Sequence, residues 1–299
     1  MDTGFQTTPK LNSPYNKTKI ALIACYIGKL PWYFDYFALT CGFNPSIDFY
    51  IITDHPPGQR LPANVIIIHK SLDDIRNAAV NSLGFTVQIH HPYKLCDFKP
   101  TFGLLFFDLI KDYDYWGYCD IDVVFGNIRG FITEDILEEH DIISVRHDFL
   151  TGFFQLFRNN ESMRRLFMES RDYCRVLQSP EHFCFDETNF QFDAFAAGTP
   201  VDEVRSEIES MMHVVKRMES AGKLKAFFDF MIVEGVPGNI KWCEGKLVYR
   251  NRFEILLYHM IHFKKSCIKS TYDKLPPNSF RITTKQIHNV LKNVKESSI

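Results

Sequence analysis

Three apolar segments near the N-terminus constrain the fold most, because they alternate with helical sequence. The segments cover residues 19–26, 48–54 and 64–69, and helices are predicted at 32–40 and 71–83. Strands that are apolar on both faces are typical of a mainly parallel sheet covered by helices on both sides. No linker is recognisable in the 299 residues, so the sequence predicts a single large α/β domain.

Two aspartates stand out in a fourth strand-like segment. Residues 116–124 are mostly aromatic or β-branched, yet they contain Asp120 and Asp122. Because side chains alternate along a strand, both carboxylates leave the backbone on one side, while Ile121 points into the core. Mg²⁺ and Mn²⁺ prefer oxygen ligands, and Mg²⁺ often combines protein carboxylates with substrate phosphates. This aspartate pair is a predicted metal site, with a capping or salt-bridge role as the alternative. The similar pattern at 112–114 is interpreted as a solvated turn.

Composition excludes several classes of protein. A net charge of -2 provides no basic field for nucleic acid. The apolar runs are far shorter than the roughly 20 residues that a membrane-spanning helix needs. Residues 1–18 are polar and unlike a signal peptide, so we expect a disordered leader and a cytoplasmic protein. The eight cysteines contain no CxxC pair and are expected to be reduced.

The order of motifs in the first half resembles the GT-A fold of nucleotide-sugar glycosyltransferases. The resemblance is to the glycogenin-like and bacterial lipopolysaccharide glycosyltransferase branch, and most closely to an uncharacterised bacterial GT-A-like group. It is carried by a lysine-leucine pair that opens a helix at 93–96, a Tyr-Asp turn at 113–115, the aspartate pair within 119–124, and the segment 127–131. The resemblance extends over about residues 19–160. It implies a Rossmann-like, mixed and mainly parallel central sheet flanked by helices.

The resemblance also implies how the first half binds a donor. The aspartate pair would hold Mn²⁺ or Mg²⁺ against the diphosphate of a UDP-sugar, with Asp120 also touching the donor. Tyr26 and Gly28, after the first strand, would line the nucleotide pocket, because glycine allows close backbone approach. Lys94 would contact the donor sugar or phosphate, and Asp97 would accept a hydroxyl hydrogen bond. The alternative is that Lys94 and Asp97 are solvated residues at the start of a helix and do not contact the donor.

Two acidic residues of the second half are candidates for catalysis. The segment 185–189 resembles an aspartate-glutamine motif, with Asp186 in the aspartate place and Glu187 in the glutamine place. A carboxylate there would act on the acceptor hydroxyl as a base or stabilise an oxocarbenium-like transition state. Capping of the next helix is the alternative. Leu150, Thr151 and Gly152 stand where the related enzymes have an Asn-x-Gly segment, so the acceptor side departs from their pattern.

A histidine and lysine motif near the C-terminus resembles the third metal ligand of this branch. His262 is the preferred ligand because a phenylalanine follows it, and His259 is the alternative because of its distance from Lys265. Lys265, together with Lys264, would neutralise the leaving diphosphate. The histidine that is not a ligand would be a hydrogen-bonded core residue.

These motifs predict a metal-dependent glycosyltransferase that moves a sugar from a UDP-sugar to a glycan or lipid-linked acceptor in bacterial surface polysaccharide synthesis. Residues 19–127 would form the donor half and 128–282 the acceptor half. Residues 283–299 are predicted to be a basic amphipathic helix that packs on the domain or contacts the inner face of the membrane. The alternatives are a sugar nucleotidyltransferase, a phosphatase with paired aspartates, and a non-catalytic protein with a degenerate site.

Overall fold

Strands and helices alternate along the first half of the chain in the computed structural model, which describes residues 17–58, 60–268 and 278–289. The strands of the described residues are β1 (Ile20–Cys25), β2 (Ile47–Thr53), β3 (Val65–His69), β4 (Tyr115–Cys119), β5 (Val123–Phe125), β6 (Ile142–Ser144), β7 (Phe154–Arg158), β8 (Ala226–Phe228), β9 (Ile232–Glu234), β10 (Ile240–Cys243), β11 (Lys246–Tyr249), β12 (Phe253–Glu254), β13 (Leu257–His259), β14 (Ser279–Ile282) and β15 (Ile287–Asn289). The α-helices are α1 (Phe34–Gly42), α2 (Leu72–Leu83), α3 (Leu95–Phe98), α4 (Phe102–Leu105), α5 (Phe107–Ile110), α6 (Ile128–Phe131), α7 (Glu134–Glu139), α8 (Glu161–Arg164), α9 (Tyr173–Gln178), α10 (Phe192–Ala196), α11 (Met211–Ser220) and α12 (Phe263–Ser266). Short 3-10 turns cover Pro92–Lys94, Lys99–Thr101 and Leu166–Glu169.

The central sheet has the strand order β3-β2-β1-β4-β7-β6-β8. Strand β1 is parallel to both β2 and β4, and β2 is parallel to β3. Strand β7 runs antiparallel to β4 and β6, whereas β8 is parallel to β6. The predicted mixed, mainly parallel sheet is confirmed. Because the chain leaves β1 toward β2 on one side and returns as β4 on the other, the sheet has a topological switch point between β1 and β4, where open sheets bind ligands.

Alternation of side chains along β1 builds a core on each face of the sheet. Leu22 packs with Phe37 of α1 on one face, and Ile23 packs with Ile75 of α2 on the other. Helix α2 begins at the predicted place because Ser71 caps it: its hydroxyl accepts a hydrogen bond from the backbone N–H of Asp74, in a capping box. Helices therefore cover both faces, as near-continuously apolar strands require.

A second, three-stranded sheet brings distant parts of the chain together beside the switch point. Its order is β5-β13-β9, in which β13 is antiparallel to β5 and parallel to β9. A third sheet, β12-β11-β10-β14-β15, packs its Trp242 against Phe280 in a stacked pair. The three-stranded sheet carries C-terminal residues to the end of β4.

The predicted helix over 283–299 is wrong at its start. Residues 287–289 form β15, which pairs antiparallel with β14. Ile287 lies opposite Ile282 of β14 and is buried in the core. This burial favours an extended backbone over a surface helix. Residues 290–299 lie outside the described residues, as does the predicted leader up to residue 16. Among the residues described, no helix is both long enough and apolar enough to cross a membrane.

Candidate active site

The aspartate pair lies in the bend that joins β4 to β5, at the carboxyl end of β4. Asp120 follows β4 directly, and its backbone N–H donates to the carbonyl of Phe153 at 3.1 Å. Ile121 is buried, as predicted, so the two carboxylates lie on the opposite side of the bend from the core. Asp120 is partly exposed, whereas Asp122 is only 5% exposed. The strand ends earlier than predicted, but the expected arrangement of the pair is preserved.

His259 completes a three-residue cluster with the aspartate pair. One potential ligand atom from each of Asp120, Asp122 and His259 lies within 4.8 Å of the others. The register of β13 places His259 opposite Val123 of β5, and the N–H of the next residue, Met260, donates to the Asp122 carbonyl at 2.9 Å. Two carboxylates and one imidazole are a ligand set that suits Mn²⁺ and is compatible with Mg²⁺.

The preferred sequence assignment, His262, is corrected by this geometry. His262 is exposed and precedes α12, so its side chain is not part of the cluster. The alternative, His259, is buried and lies with its Nε2 atom 3.5 Å from Asp122 Oδ2. The following phenylalanine, on which the preference for His262 was based, is a core residue instead.

Glu234 orients His259 from the far side of the ring. Its Oε1 atom lies 3.1 Å from His259 Nδ1, and its Oε2 atom accepts a hydrogen bond from Arg146 at 2.5 Å. The guanidinium of Arg146 is itself fixed by two hydrogen bonds to Asp148. A carboxylate on one imidazole nitrogen directs the other nitrogen toward a metal position. The sequence patterns did not identify Glu234, because only the parallel pairing of β9 with β13 brings it to His259.

Ion pairing controls the protonation of this cluster. Burial alone would raise the pKa of Asp122, but the hydrogen bond and charge of His259 outweigh it and hold the pKa well below its usual range. Burial opposes the imidazolium, yet hydrogen bonds to Asp122 and Glu234 raise the pKa of His259 to about 9. Asp122 is therefore a charged acceptor at neutral pH.

Of the two predicted lysines, Lys264 of α12 reaches the aspartate pair. Its Nζ atom donates to Asp122 Oδ2 at 2.5 Å. Lys265 is exposed, and its backbone N–H donates to the carbonyl of His262 at 3.1 Å. Successive helical side chains point about 100° apart, so only one of two adjacent lysines faces the site. The predicted positive charge is present, but it is carried by Lys264.

Lys99 is a buried cation that the sequence interpretation missed. Its Nζ atom donates to Asp120 Oδ1 at 2.7 Å and to the Gly152 carbonyl at 2.8 Å, and lies 3.7 Å from Asp186 Oδ2. Burial would lower its pKa, but the charge of Asp120 raises the pKa well above the usual value. A lysine among the apolar residues of the segment 98–102 was the available signal. Lys99 connects the aspartate pair to the predicted catalytic carboxylates.

Those carboxylates form a second cluster on the other side of Lys99. Ligand atoms of Cys184, Asp186 and Glu187 lie within 4.8 Å of one another. Glu187 accepts hydrogen bonds from the N–H of Gly152 at 2.5 Å and from the thiol of Cys184 at 3.2 Å. Burial raises the pKa of Asp186 well above its usual range and also raises the pKa of Glu187. Asp186 is buried and Glu187 only half-buried, so Glu187 is the more accessible of the two.

The predicted donor contacts of Lys94 and Asp97 do not fit their burial. Both side chains are 0% exposed, and Lys94 Nζ donates to Asp97 Oδ2 at 2.8 Å and to the Val176 carbonyl at 2.9 Å. Asp97 also accepts from the backbone N–H groups of Phe183 and Phe185, at 3.0 and 2.9 Å. The pair therefore positions the segment that carries Asp186 and Glu187 instead of contacting a ligand.

Tyr26 and Gly28 lie after β1, as predicted, and β1 is one of the two strands at the switch point. The N–H of Tyr26 continues the sheet by donating to the Ile52 carbonyl at 2.9 Å. Gly28 has a φ of 107°, which favours glycine, and its N–H donates to Asp54 Oδ1 at 2.7 Å. An open cleft of about 460 Å³ lies beside this loop and is lined by residues 29–32 and 55–58 among others. The contact of Tyr26 and Gly28 with a nucleotide stays a prediction.

Gly152 is required by the close approach of the second cluster. A Cβ atom at this position would lie 2.4 Å from Asp186 Oδ2 and 3.3 Å from the Glu187 carboxyl group. We expect Gly152→Ala to lower the free energy of unfolding by about 1–3 kcal/mol through overpacking. Urea denaturation measures the change. Gly58→Ala is the control, because a Cβ there meets nothing within 4 Å, and equal stability of both variants would contradict the prediction.

Comparison with known proteins gives weak structural and clear family similarity. The chain is similar to the galactosyltransferase LgtC in complex with donor and acceptor sugar analogs, at 9% identity and a TM-score of 0.33, over 72% of this chain and 75% of that one. An active-site mutant of LgtC matches at 10% identity and a TM-score of 0.34, over 80% and 86% of the two chains. The apo-form glycosyltransferase GlyE of Streptococcus pneumoniae TIGR4 matches at 11% identity and a TM-score of 0.32, over 70% of this chain and 45% of that one.

No curated protein matches the chain. A protein-family model does match, and it extends over residues 22–291, which include every member of both clusters. The description of that family is "Family of unknown function (DUF6625)". Because the match covers nearly the whole chain, this protein belongs to the DUF6625 family.

Proposed function

We propose that this protein is a metal-dependent glycosyltransferase that uses a nucleotide-diphosphate sugar. The cluster of Asp120, Asp122 and His259 at the switch point is the observation that carries the proposal, together with the resemblance of the sequence motifs. Carboxylate and imidazole ligands with Lys264 beside them suit a cation that also binds a diphosphate. A UDP-sugar is the proposed donor, and a glycan or lipid-linked sugar is the proposed acceptor.

The residues present fit a divalent cation. Asp120, Asp122 and His259 would hold Mn²⁺ or Mg²⁺, and Glu234 already holds His259 in the orientation that a ligand needs. When bound, the ion supplies charge neutralisation at the departing diphosphate. Lys264 adds a second positive charge at the same place, so the chain itself also favours departure of the nucleoside diphosphate.

Glu187 is the proposed residue for the acceptor hydroxyl. It is more exposed than Asp186, and burial raises its pKa, which makes its carboxylate a stronger proton acceptor. The N–H of Gly152 and the thiol of Cys184 hold its two oxygens in place. Asp186 and Lys99 would fix the electrostatic field around it, because Lys99 Nζ lies 3.7 Å from Asp186 Oδ2.

A thermal-shift screen of nucleotide-sugars tests the proposal. The correct donor stabilises the fold by mass action, by about 2.7 kcal/mol at a hundred times its dissociation constant. We expect one nucleotide-sugar to raise the Tm in Mn²⁺ and not in EDTA, and that donor to release nucleoside diphosphate. If no donor raised the Tm in a metal-dependent way, the proposal would be contradicted. Binding without turnover would favour a non-catalytic protein, and product from a sugar phosphate and a nucleoside triphosphate would favour a nucleotidyltransferase.

A comparison of two histidine variants tests the ligand assignment. We expect His259→Ala to weaken Mn²⁺ binding at least about 10-fold, because it removes a ligand. Even the loss of a residue that only supports a ligand typically lowers metal affinity about 10- to 100-fold. His262→Ala should bind Mn²⁺ as the wild type does, because His262 is exposed outside the cluster. Isothermal titration with Mn²⁺ measures both, and the reverse order of effects would restore His262 as the ligand.

The biological setting rests on the sequence. Bacterial surface polysaccharide synthesis, a cytoplasmic location and peripheral contact with the inner face of the membrane stay predictions. Sedimentation with anionic liposomes tests the last of these: a chain that ends at Asn289, which keeps β14 and β15, should bind less than the full chain. Equal sedimentation of the two would remove the membrane contact.

A further inference from the structure

Two large aromatic side chains are exposed beside the segment that carries the second cluster. Tyr93 is 64% exposed and Phe190 is 54% exposed. The ring of His182 lies between them, with its centroid 4.7 Å from that of Tyr93 and 5.5 Å from that of Phe190. We name this group of three rings the aromatic platform. Contiguous exposed apolar surface of this kind marks binding sites more often than scattered single residues do.

A tight loop holds the platform next to the catalytic candidates. The N–H groups of Glu187 and Asn189 both donate to the Cys184 carbonyl, at 3.3 and 3.0 Å. The loop therefore closes on itself, and His182 and Phe190 meet at its two ends. Asp186 and Glu187 lie within the loop.

The backbone of this loop is held in a conformation that non-glycine residues rarely adopt. The φ angles are 52° at Cys184, 54° at Asn189 and 62° at Phe190. The Asn189 side chain maintains this conformation, because it donates to the Phe183 carbonyl at 2.8 Å and accepts from the N–H of Glu207 at 2.8 Å. Strained conformations that the surroundings fix in this way are concentrated at functional sites. One of these strained residues, Phe190, is also the one whose ring is exposed to solvent.

The platform is also tied to the buried ion pair beneath it. His182 Nδ1 lies 3.2 Å from Asp97 Oδ1, and Tyr93 is the residue before Lys94. Burial raises the pKa of the Tyr93 hydroxyl to about 12, and the charges of Cys96 and Asp186 add to this effect. The Tyr93 hydroxyl thus lies in the electrostatic field of the second cluster. His182 is therefore held beside Asp97, and the two exposed rings contact His182.

We propose that the aromatic platform binds a pyranose ring of the glycan acceptor and presents its hydroxyl to Glu187; this inference rests on the proposed function. A pyranose offers a face of C–H groups to aromatic rings and hydroxyl groups to carboxylates and imidazole. A phosphate-bearing ligand suits this place less well, because the side chains of Asp186 and Glu187 are carboxyl groups and offer it no positive charge. The donor diphosphate belongs instead with Lys264 and the aspartate pair, on the other side of Lys99.

Glycan binding by ring-deletion variants of the full chain tests the platform. We expect Tyr93→Ala and Phe190→Gly to reduce binding to an immobilised oligosaccharide array about 10-fold, corresponding to the loss of one stacked ring. Phe190→Gly removes the ring and also relieves the positive φ, so its Tm should not fall. Phe253→Ala is the matched control, because Phe253 is 52% exposed on β12 in a different sheet, and it should bind glycans as the wild type does.

The outcomes separate the platform from the transferase. Absence of glycan binding by the wild type, or equal binding by the wild type, Tyr93→Ala and Phe190→Gly, would overturn the platform. Competition by free uridine in place of oligosaccharide would also overturn it, because the rings would then stack on a nucleobase. If glycans bind through Tyr93 and Phe190 while no nucleotide-sugar is turned over, the platform stands and the proposed transfer fails. Metal-dependent turnover without ring-dependent glycan binding would support the transfer and overturn the platform.

Discussion

Asp122→Asn is expected to abolish metal-dependent transfer while the protein still folds. The change removes the charge that pairs with His259 and Lys264, and it replaces a carboxylate ligand by an amide of the same shape. Outer-shell changes weaken metal binding 10- to 100-fold, so loss of a direct ligand should weaken Mn²⁺ binding at least about 100-fold. Isothermal titration with Mn²⁺ and assay of Mn²⁺-dependent nucleoside diphosphate release are the measurements.

Asp112→Asn is a matched control for this substitution. Asp112 belongs to the similar pattern at 112–114, which precedes β4, and its side chain is exposed outside both clusters. We expect its Mn²⁺ affinity and turnover to equal those of the wild type. Undiminished Mn²⁺-dependent turnover in Asp122→Asn would remove the metal site from the mechanism, and with it the basis of the proposed function.

Lys94→Met is expected to produce the largest loss of stability. The substitution keeps the length of the side chain but leaves the Asp97 carboxylate without its cation in a place that water does not reach. Removal of one partner of a buried ion pair typically costs about 3–5 kcal/mol. Urea denaturation at pH 7 measures the difference from the wild type. The exposed Lys223→Met should differ from the wild type by less than about 0.5 kcal/mol.

The pH dependence of this difference identifies the ion pair as its cause. Burial raises the pKa of Asp97, but the hydrogen bond and charge of His182 and the charge of Lys94 hold the pKa below its usual value. A lowered pKa contributes stability above the unfolded value, and that stability is lost as the pH falls. The ordinary pKa is 3.8, so the gap between wild type and Lys94→Met should narrow as the pH falls below about 4, toward the lowered pKa of Asp97 in the folded protein. A gap that stays constant would mean that packing alone is responsible.

The double substitution Lys94→Met with Asp97→Leu separates the charge from the shape. Replacement of a whole buried ion pair by apolar residues is often neutral or stabilising. We expect the double variant to regain most of the stability that Lys94→Met loses. Because Asp97 also binds the N–H groups of Phe183 and Phe185, that segment should move and activity should stay low despite the regained stability. Full recovery of activity would show that the pair does not position the second cluster.

The core of the fold could be predicted because local patterns determine it. Strands β1 to β4 are apolar on both faces, and the cap at Ser71 fixes where α2 begins. The C-terminal part could not be predicted in the same way. Lysines and branched residues after 283 repeat at helical spacing, but the burial of Ile287 against β14 is a tertiary effect that no local period contains.

The candidate site shows the same division between local and distant information. Asp120 and Asp122 are close in sequence, so their spacing alone predicted that they would lie together. The choice between His259 and His262 depended on the register of β13 against β5, which sequence does not reveal. Lys94 matched a family motif, yet its burial gives it another role, and the lysine that contacts Asp120 is Lys99. Residue type and order therefore predicted where the acidic pair lies better than which distant residues join it.

The three-stranded sheet has a consequence for the order of events during synthesis. Lys264 and Asp122 are 142 residues apart in sequence, and β13 must pair with both β5 and β9 before His259 reaches its place. Translation at about 5–20 residues per second would expose the aspartates roughly 7 to 28 s before that lysine leaves the ribosome. The nascent chain therefore carries Asp122 without Lys264 for that interval, whereas Lys99, the partner of Asp120, is already present. The three-residue cluster is completed only late in synthesis, because a chain that stops before β13 lacks His259.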